Sequence, residues 1–266
     1  MGLVDQFPVY AQAIVVVIVF AGVTIAGLFI VRRLIPWELL RENHEVAGFT
    51  FGVVGAFYGV VLAFVIVAAW QRYERANEKA QDEALAVANL YNIAQGFQPP
   101  MRAAMQDALK GYAKVVLENE WQAMARNSYG PDTTTANLLW DTVVRYRPSD
   151  QREQLLLDKS LDQIAQLNDS RRLRYLFYSE DLPSVVWIVI YVGCVITIGF
   201  SYFFGTKYFR AQALMCGTFA ALIGLTILAI SELATPYSGA VHVSSEAFQT
   251  VLAFMNSRAE PESPAR

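Results

Sequence analysis

The amino-acid sequence predicts an all-α polytopic membrane protein, with four transmembrane helices and a helical soluble domain inserted between the second and the third. Hydrophobic residues make up 55% of the 266 residues, and they are concentrated in four apolar blocks that are nearly free of charge. Each block is long enough for a helix to cross the hydrocarbon core of a bilayer. Most charged residues fall instead between Gln71 and Asp181, where no segment alternates polar and apolar residues as a half-buried strand does.

The first transmembrane helix is predicted over about Val9 to Val31. Arg32 and Arg33 close it, and Pro36 stops the helix in the short connector that follows. Trp37 in this connector suits an anchor at the membrane interface.

The second apolar block is predicted to be the start of one long helix. It begins at Ala47, leaves the bilayer near Trp70 and continues to about Tyr91. The apolar part holds no charged side chain, and the part after Trp70 is rich in Ala, Glu, Lys, Gln and Leu, which are good helix formers. Since no Gly or Pro interrupts this second part before Gly96, we expect the helix to pass from membrane into water without a break.

Small residues recur along the second transmembrane helix at intervals of three and four, which places them on one helical face: Gly48, Gly52, Gly55, Gly59 and Ala63. Small side chains let two helix backbones approach closely. One interpretation is tight packing against a neighbouring helix. The other is that several copies of this helix meet around an axis, and only this second interpretation makes the face part of a pore.

The polar domain after the second transmembrane helix is predicted to be a helical bundle. Gly96, Pro99 and Pro100 end the long helix, and three further helices follow over residues 101–125, 136–146 and 151–179. Thr133 to Thr135 and Asp150 are candidate N-caps for the last two helices. Short loops between the helices favour antiparallel neighbours.

The chain then returns to the membrane. The third and fourth transmembrane helices are predicted over about Ser184 to Phe204 and Ala211 to Ala234, and a short amphipathic helix with a disordered end follows. The predicted domains are therefore residues 1–70, 71–182, 183–235 and 236–266.

The sequence offers no catalytic or metal-binding constellation. His44 and His242 are far apart and lack metal-ligand spacing, and Cys194 and Cys216 lie inside predicted membrane helices. We therefore expect no enzyme activity, metal or cofactor. A net charge of −3 without a basic stripe also argues against a nucleic-acid partner.

A charge pair is predicted inside the soluble domain. Glu83 lies among small apolar residues on the long helix, and Arg171, Arg172 and Arg174 lie near the end of the last soluble helix, which must return alongside it. We expect Glu83, alone or with Asp82, to pair with one of these arginines. The alternative is a set of separate solvated charges worth less than ~1 kcal/mol.

Glu232, at the end of the fourth transmembrane helix, has two interpretations. Ionisable groups at membrane depth are expensive and are candidates for function. Glu232 is also only about one turn from the expected membrane interface, so a role at the helix end is the alternative.

Two stretches resemble a known family. The motif Trp70-x-x-Tyr73-Glu74, directly after an apolar block, resembles the sequence that follows the pore helix of bestrophin anion channels. The carboxyl-terminal half is similar to bacterial bestrophin-like membrane proteins. The similarity there rests on SRRLRYL before Leu182-Pro183, on a membrane helix containing Trp187, and on the turn Pro236-Tyr237-Ser238-Gly239.

The resemblance implies a four-span subunit of the bacterial inner membrane, with both termini and the helical domain in the cytoplasm. It also implies a homo-pentamer whose second transmembrane helices surround an anion-conducting axis, with Gly52, Ala56, Val60 and Phe64 at the neck. Charge bias leaves the orientation undecided, and when only short loops are counted it favours the opposite one.

The sequence departs from bestrophins at two points. The helical run RANEKAQDEA stands where bestrophins have a Pro-rich segment and an acidic calcium clasp, so we expect no calcium gating. Ala234 replaces an Asp that the family has before its Pro-containing turn.

These features favour passive transport of a small anion through an oligomer in the lipid bilayer, with Arg72 and Arg75 raising the anion concentration at the pore mouth. Two alternatives stay open. A proton-driven stator or Tol-like assembly is compatible with Thr218 and Thr226 on the fourth transmembrane helix. A non-conducting scaffold or sensor would bind a partner through the helical domain.

Overall fold

Helices make up all of the regular structure that is described. The structure, a computed structural model, describes residues 8–35, 44–128, 134–203 and 206–258, and these ranges contain no strand. The all-α class is therefore confirmed for the described residues. The helices, in chain order, are α1 (Val9–Leu34), α2 (His44–Ala94), α3 (Pro99–Val115), α4 (Trp121–Ala125), α5 (Thr134–Val144), α6 (Gln151–Ser179), α7 (Ser184–Ser201), α8 (Phe209–Ala234) and α9 (Glu246–Ser257).

Four helical stretches of the described chain are long and apolar enough to cross a membrane, as predicted. They are Val9–Leu34, Gly48–Ala94, Gln151–Ser201 (which comprises α6 and α7) and Phe209–Ala234. Large apolar side chains on these stretches are open in the single chain, with Phe57, Phe64 and Val195 exposed by 73%, 74% and 72%. A surface of this kind has to contact lipid or another copy of the chain.

The chain forms two compact units. The membrane unit consists of the described residues up to Arg72, together with Asp181–Ala234 and Gly239–Val241. The helical unit consists of Tyr73–Glu180, Thr235–Ser238 and the described residues from His242 onward. Helix α2 contributes its first part to the membrane unit and its second part to the helical unit.

Glycines allow close helix packing inside the membrane unit. A Cβ added at Gly224 of α8 would lie 2.7 Å from the ring of Phe20 on α1, and one added at Gly193 of α7 would overlap the ring of Tyr58 on α2. The Tyr58 hydroxyl also donates a hydrogen bond of 2.7 Å to the carbonyl of Ile190. Helices α1 and α8 pack along each other, and α2 packs on α7 through Tyr58.

The helical unit has one core, to which the second part of α2 and helices α3, α5, α6 and α9 all contribute. Its core includes Ala80, Val87, Leu90, Met105, Leu109, Leu139, Ile164 and Leu167, none of them more than 1% exposed. The side chain of Asp150 caps α6 as predicted, because it accepts a hydrogen bond of 2.7 Å from the backbone N–H of Glu153. Thr133, another expected cap, lies outside the described residues.

The carboxyl-terminal helix belongs to this core, although the sequence led us to treat residues 236–266 as a separate segment. Phe248 and Met255 of α9 are fully buried. The Tyr91 hydroxyl of α2 donates a hydrogen bond of 3.0 Å to the carbonyl of Met255. Residues 259–266, the end predicted to be disordered, lie outside the described residues.

Two motif tyrosines hold the segment that leads to α9. The Tyr237 hydroxyl donates to the carbonyl of Ala76 at 2.9 Å, and the Tyr73 hydroxyl donates to the carbonyl of His242 at 3.3 Å. Both tyrosines therefore have a structural role within the helical unit.

The second soluble helix, predicted to be continuous over residues 101–125, is interrupted. A π-helical turn over Val116–Glu120 separates α3 from α4. A π-turn inserts one extra residue per turn and so rotates the side chains that follow it. Here Glu120, at the end of the turn, is buried.

Candidate functional site

The first part of α2 has one packed face and one open face. On the packed face, Tyr58, Leu62 and Ala69 are at most 7% exposed. On the open face lie the predicted pore-lining residues, and Val60 and Phe64 are exposed by 54% and 74%. The four predicted pore-lining residues, Gly52, Ala56, Val60 and Phe64, are all exposed in the single chain.

The small residues of α2 are not packed tightly within the chain. A Cβ added at Gly52, Gly55 or Gly59 would meet no atom within 4 Å. Among the described residues, these glycines therefore do not pack closely against another helix of the same chain, and close packing against a helix of a second copy stays a prediction. The space beside them is available to another copy of the chain or to lipid.

The two predicted mouth arginines differ in their surroundings. The Arg72 side chain is half-buried, and its Nε donates a hydrogen bond of 3.3 Å to the carbonyl of Ala234. Carbonyls at a helix C-terminus have no partner within the helix, so Arg72 satisfies one of them at the end of α8. Arg75 is exposed.

Glu232 closes the turn after α8. Its Oε2 accepts hydrogen bonds from the backbone N–H groups of Ala240 and Val241, at 2.8 and 3.0 Å. Gly239 has a φ of +89°, and a Cβ added there would lie 3.0 Å from the same oxygen. Glu232 is buried and has a helix-end role, which was one of its two interpretations.

A network of buried charges lies in the helical unit. Arg174 donates two hydrogen bonds to Glu83, from Nε at 2.7 Å and from Nη2 at 3.1 Å. The Nη2 of Arg174 also reaches Glu120 at 2.6 Å, and Arg171 donates to the other oxygen of Glu120 at 2.6 Å. The Tyr112 hydroxyl donates to Glu83 at 2.5 Å. Two carboxylates and two guanidinium groups therefore balance each other in a buried network.

The network shifts the pKa values of its members. Burial raises the pKa of Tyr112 well above its ordinary value, and the neighbouring Glu83 carboxylate adds to this effect. Burial opposes the charge on Arg174, but Glu83 and Glu120 outweigh it and hold the pKa of Arg174 above its ordinary value. The Arg174 guanidinium also lies over the ring of Trp121, 5.5 Å from its centre.

The remaining charges of the predicted pair lie elsewhere. Arg172 is exposed, and Asp82 forms an ion pair of 2.6 Å with Lys79 on its own helix. Glu120 and Tyr112, which the sequence analysis did not include, complete the network instead. Tyr112 lies on the buried face of α3 with Met101, Met105 and Leu109, and apolar periodicity alone predicts a core position there rather than a hydrogen bond to a carboxylate.

The described residues contain no group of three or more His, Cys, Asp or Glu side chains that could hold a metal ion. Cys194 and Cys216 are buried free thiols.

The chain has a membrane unit of long apolar helices, with an open face on α2, and a helical unit that contains a buried charge network. These features define the class of the protein as a multi-span helical membrane protein. The sequence matches the Bestrophin-like domain over residues 18–248. The chain therefore belongs to the Bestrophin-like family. No curated protein matches it.

Solved structures share this fold. A bacterial bestrophin homologue from Klebsiella pneumoniae is 12% identical with a TM-score of 0.66, and the match covers 92% of this chain and 99% of the other. A single-substitution variant of that homologue is 13% identical, with the same TM-score and coverage. A crystal structure of a membrane protein variant is 12% identical with a TM-score of 0.64, over 92% of this chain and 99% of the other.

Proposed function

We propose that the protein is an oligomeric bestrophin-like channel that conducts small anions passively along an axis surrounded by the second transmembrane helices. The observation that carries the proposal is the open face of α2. Val60 and Phe64 on this face are more than half exposed, and a Cβ added at Gly52, Gly55 or Gly59 would meet no atom of the described chain within 4 Å. Membership of the Bestrophin-like family, a family of channels, supports the same function.

A ring of subunits gives this face a partner. A single helix cannot enclose a pore, and closed rotational symmetry lets the same face of each copy meet at one axis. The proposed assembly is a homo-pentamer in the bacterial inner membrane, with the helical domain in the cytoplasm. These three details rest on the family resemblance.

The proposed conduction path has a narrow apolar neck. Phe64 and Val60 are the bulkier residues of the pore-lining row, and Gly52 and Ala56 leave more room. Apolar constrictions gate by losing water, so the neck is expected to be tightest near Phe64. Arg75, with Arg72, would raise the local concentration of anions at the end of the apolar stretch.

Electrical recording in a planar bilayer under a KCl gradient tests the proposal. We expect a reversal potential near the chloride equilibrium value, and a strongly reduced conductance in Val60→Trp. The matched control is Val192→Trp on α7, because Val192 is exposed by 51% and Val60 by 54%. An equal loss of conductance in both variants would argue against a pore along α2.

The recording also separates the alternatives. Cation or proton selectivity would favour the stator-like assembly, and silence from a homogeneous oligomer would favour a scaffold. Thr226 gives no support to the stator-like assembly. The Thr226 hydroxyl donates a hydrogen bond of 2.9 Å to the carbonyl of Leu222 on its own helix. Thr in membrane helices commonly makes this bond.

A further inference from the structure

An apolar groove of about 460 Å³ runs between α1 and α7 in the membrane unit. It follows α7 from Tyr191 to Tyr202, and the eleven helical steps between these residues rise about 16 Å along a helix axis. The hydrocarbon core of a bilayer is about 30 Å thick, so the groove has roughly the length of one leaflet. Its lining includes Val19, Phe20, Val23, Val195, Ile198 and Gly199.

One end of the groove is closed by Tyr202. A Cβ added at Gly27 of α1 would lie 2.6 Å from the Tyr202 hydroxyl, so the tyrosine ring lies directly on the α1 backbone. Gly199, one turn earlier on α7, has no atom within 4 Å of an added Cβ. The groove is therefore open at Gly199 and ends at Tyr202.

The same end of the membrane unit brings together the end of α1 and the connector between α7 and α8. Arg32 donates from Nε to the side chain of Gln212 at 2.9 Å, and from Nη2 to the carbonyl of Thr206. This arginine is therefore occupied within the fold, and it holds the end of α1 beside the connector between α7 and α8 and the start of α8.

Three further basic residues, Arg33, Lys207 and Arg210, lie exposed at this end and are called the basic cluster here. The Arg33 guanidinium lies 4.7 Å from the centre of the Phe29 ring, and Phe29 packs edge-on against Phe209 with ring centres 6.4 Å apart. The basic cluster thus lies beyond the closed end of the groove. If a lipid acyl chain fills the groove, the headgroup of that lipid lies at this end.

We propose that the groove and the basic cluster together bind one anionic phospholipid per subunit, with an acyl chain in the groove and the phosphate at the cluster. Apolar lining of one-leaflet length fits an acyl chain, and a cluster of guanidinium and ammonium groups fits a headgroup phosphate. A lipid that lacks a net negative charge matches the groove but not the cluster. The site is on a different helix pair from the proposed pore and does not depend on conduction.

Lipid retention tests the proposal on the full-length protein. The purified oligomer is incubated with mixed vesicles of equal phosphatidylglycerol and phosphatidylcholine, separated from them, and its bound lipid is measured by mass spectrometry. We expect phosphatidylglycerol to be enriched. Each basic residue near an anionic membrane contributes about fivefold in affinity, so changing all three cluster residues to Gln should reduce the enrichment at least about tenfold.

Two glycine variants test the groove itself. Gly199→Leu fills it and should reduce the retention of both lipids. Gly22→Leu on α1 is the matched control, since an added Cβ there also meets nothing within 4 Å and Gly22 does not line the groove. The control should retain lipid as the wild type does.

Several results would overturn the proposal. Equal retention of the two lipids would do so, because a site selected by the charge of the cluster must prefer the anionic lipid. Protection of the protein against heat by inorganic phosphate, to the same extent as by phosphatidylglycerol, would indicate a site for free anions. A changed oligomeric state in Gly199→Leu with unchanged lipid retention would indicate that a second copy of the chain occupies the groove.

Discussion

Arg174 of α6 and Glu83 of α2 form a two-point ion pair, although they lie 91 residues apart in the chain. The Nε–Oε2 distance is 2.7 Å, and the two side chains are exposed by 1% and 0%. Desolvating such a pair costs much of its Coulombic gain, so its presence is weak support for high stability. Removing one partner is different, because it leaves the other charge buried.

Replacing Glu83 by Gln should destabilise the helical unit by about 3–5 kcal/mol, because the charges of the network no longer balance. Hydrogen exchange of the α6 amides measures this unit separately from the membrane unit. Glu78→Gln, on the exposed side of the same helix, is the control and should change stability by less than about 0.5 kcal/mol. The double variant with Arg174→Met should recover most of the loss, because Glu120 and Arg171 then remain as a pair. If Glu83→Gln and Glu78→Gln changed stability equally, the buried charge balance would not be the cause of the loss.

The sequence was sufficient to predict some parts of this arrangement and not others. Four long apolar blocks made the membrane helices predictable, since spanning a bilayer demands a certain length of apolar chain. Glu83 was predictable as a buried charge because small apolar residues surround it on one helix face. Glu120 was not, because its direction depends on a π-turn for which the sequence has no clear signal.

The position of the carboxyl-terminal helix was also beyond the sequence. Its amphipathic pattern predicted a helix, but such a pattern does not identify the surface that its apolar face covers. In the structure this face packs on α2, α3 and the π-turn, more than 100 residues earlier in the chain. The open face of α2 was predictable in part. The spacing of the glycines in the sequence placed them on one face of the helix, but it did not identify what packs against that face.

Phe248→Ala should lower the free energy of unfolding of the helical unit by about 3–5 kcal/mol, because it removes a fully buried aromatic ring and leaves a cavity. Hydrogen exchange in α2 and α3 provides the measurement. Thr250→Ala on the exposed side of α9 serves as the control. If Phe248→Ala behaved like this control, α9 would not be part of the core.

Arg75→Glu should shift the reversal potential away from the chloride equilibrium value, because it replaces a positive charge near the proposed pore mouth by a negative one. The shift should shrink in about 1 M salt, where the Debye length is about 3 Å. Arg152→Glu makes the same charge change at an exposed position of α6 and should leave selectivity unchanged. Arg72→Glu should in addition lower thermal stability, because it removes the hydrogen bond to Ala234. An unchanged reversal potential in Arg75→Glu would remove this residue from the mechanism.

Glu153 should make the start of α6 sensitive to acid. The hydrogen bond from the Ser149 backbone N–H is the main cause that holds the pKa of Glu153 below its ordinary value of 4.5. A carboxyl group with a lowered folded-state pKa stabilises the fold above its unfolded-state pKa, and this contribution is lost as the pH falls through the folded-state value. The wild type should therefore melt at a higher temperature than Glu153→Gln at neutral pH, and the difference should shrink as the pH falls below 4.5 and disappear only below the folded-state pKa. Asp158→Asn, at an exposed position of the same helix, is the control for the loss of one carboxylate.

The same Gly→Ala change should have opposite effects at two sites. At Gly239 the φ of +89° strains any residue with a Cβ, and the added atom would lie 3.0 Å from Oε2 of Glu232. Gly239→Ala should therefore destabilise the turn after α8 by about 1–3 kcal/mol and increase hydrogen exchange at Ala240 and Val241, whose N–H groups bind Glu232. At Gly111, within α3, an added Cβ meets nothing within 4 Å, so Gly111→Ala should stabilise the helix by about 0.5–1 kcal/mol. Thermal melting measures both effects: Gly239→Ala should melt below the wild type and Gly111→Ala above it. If both melted above the wild type, the turn would not require glycine, and Glu232 would hold the end of α8 without help from the backbone conformation at Gly239.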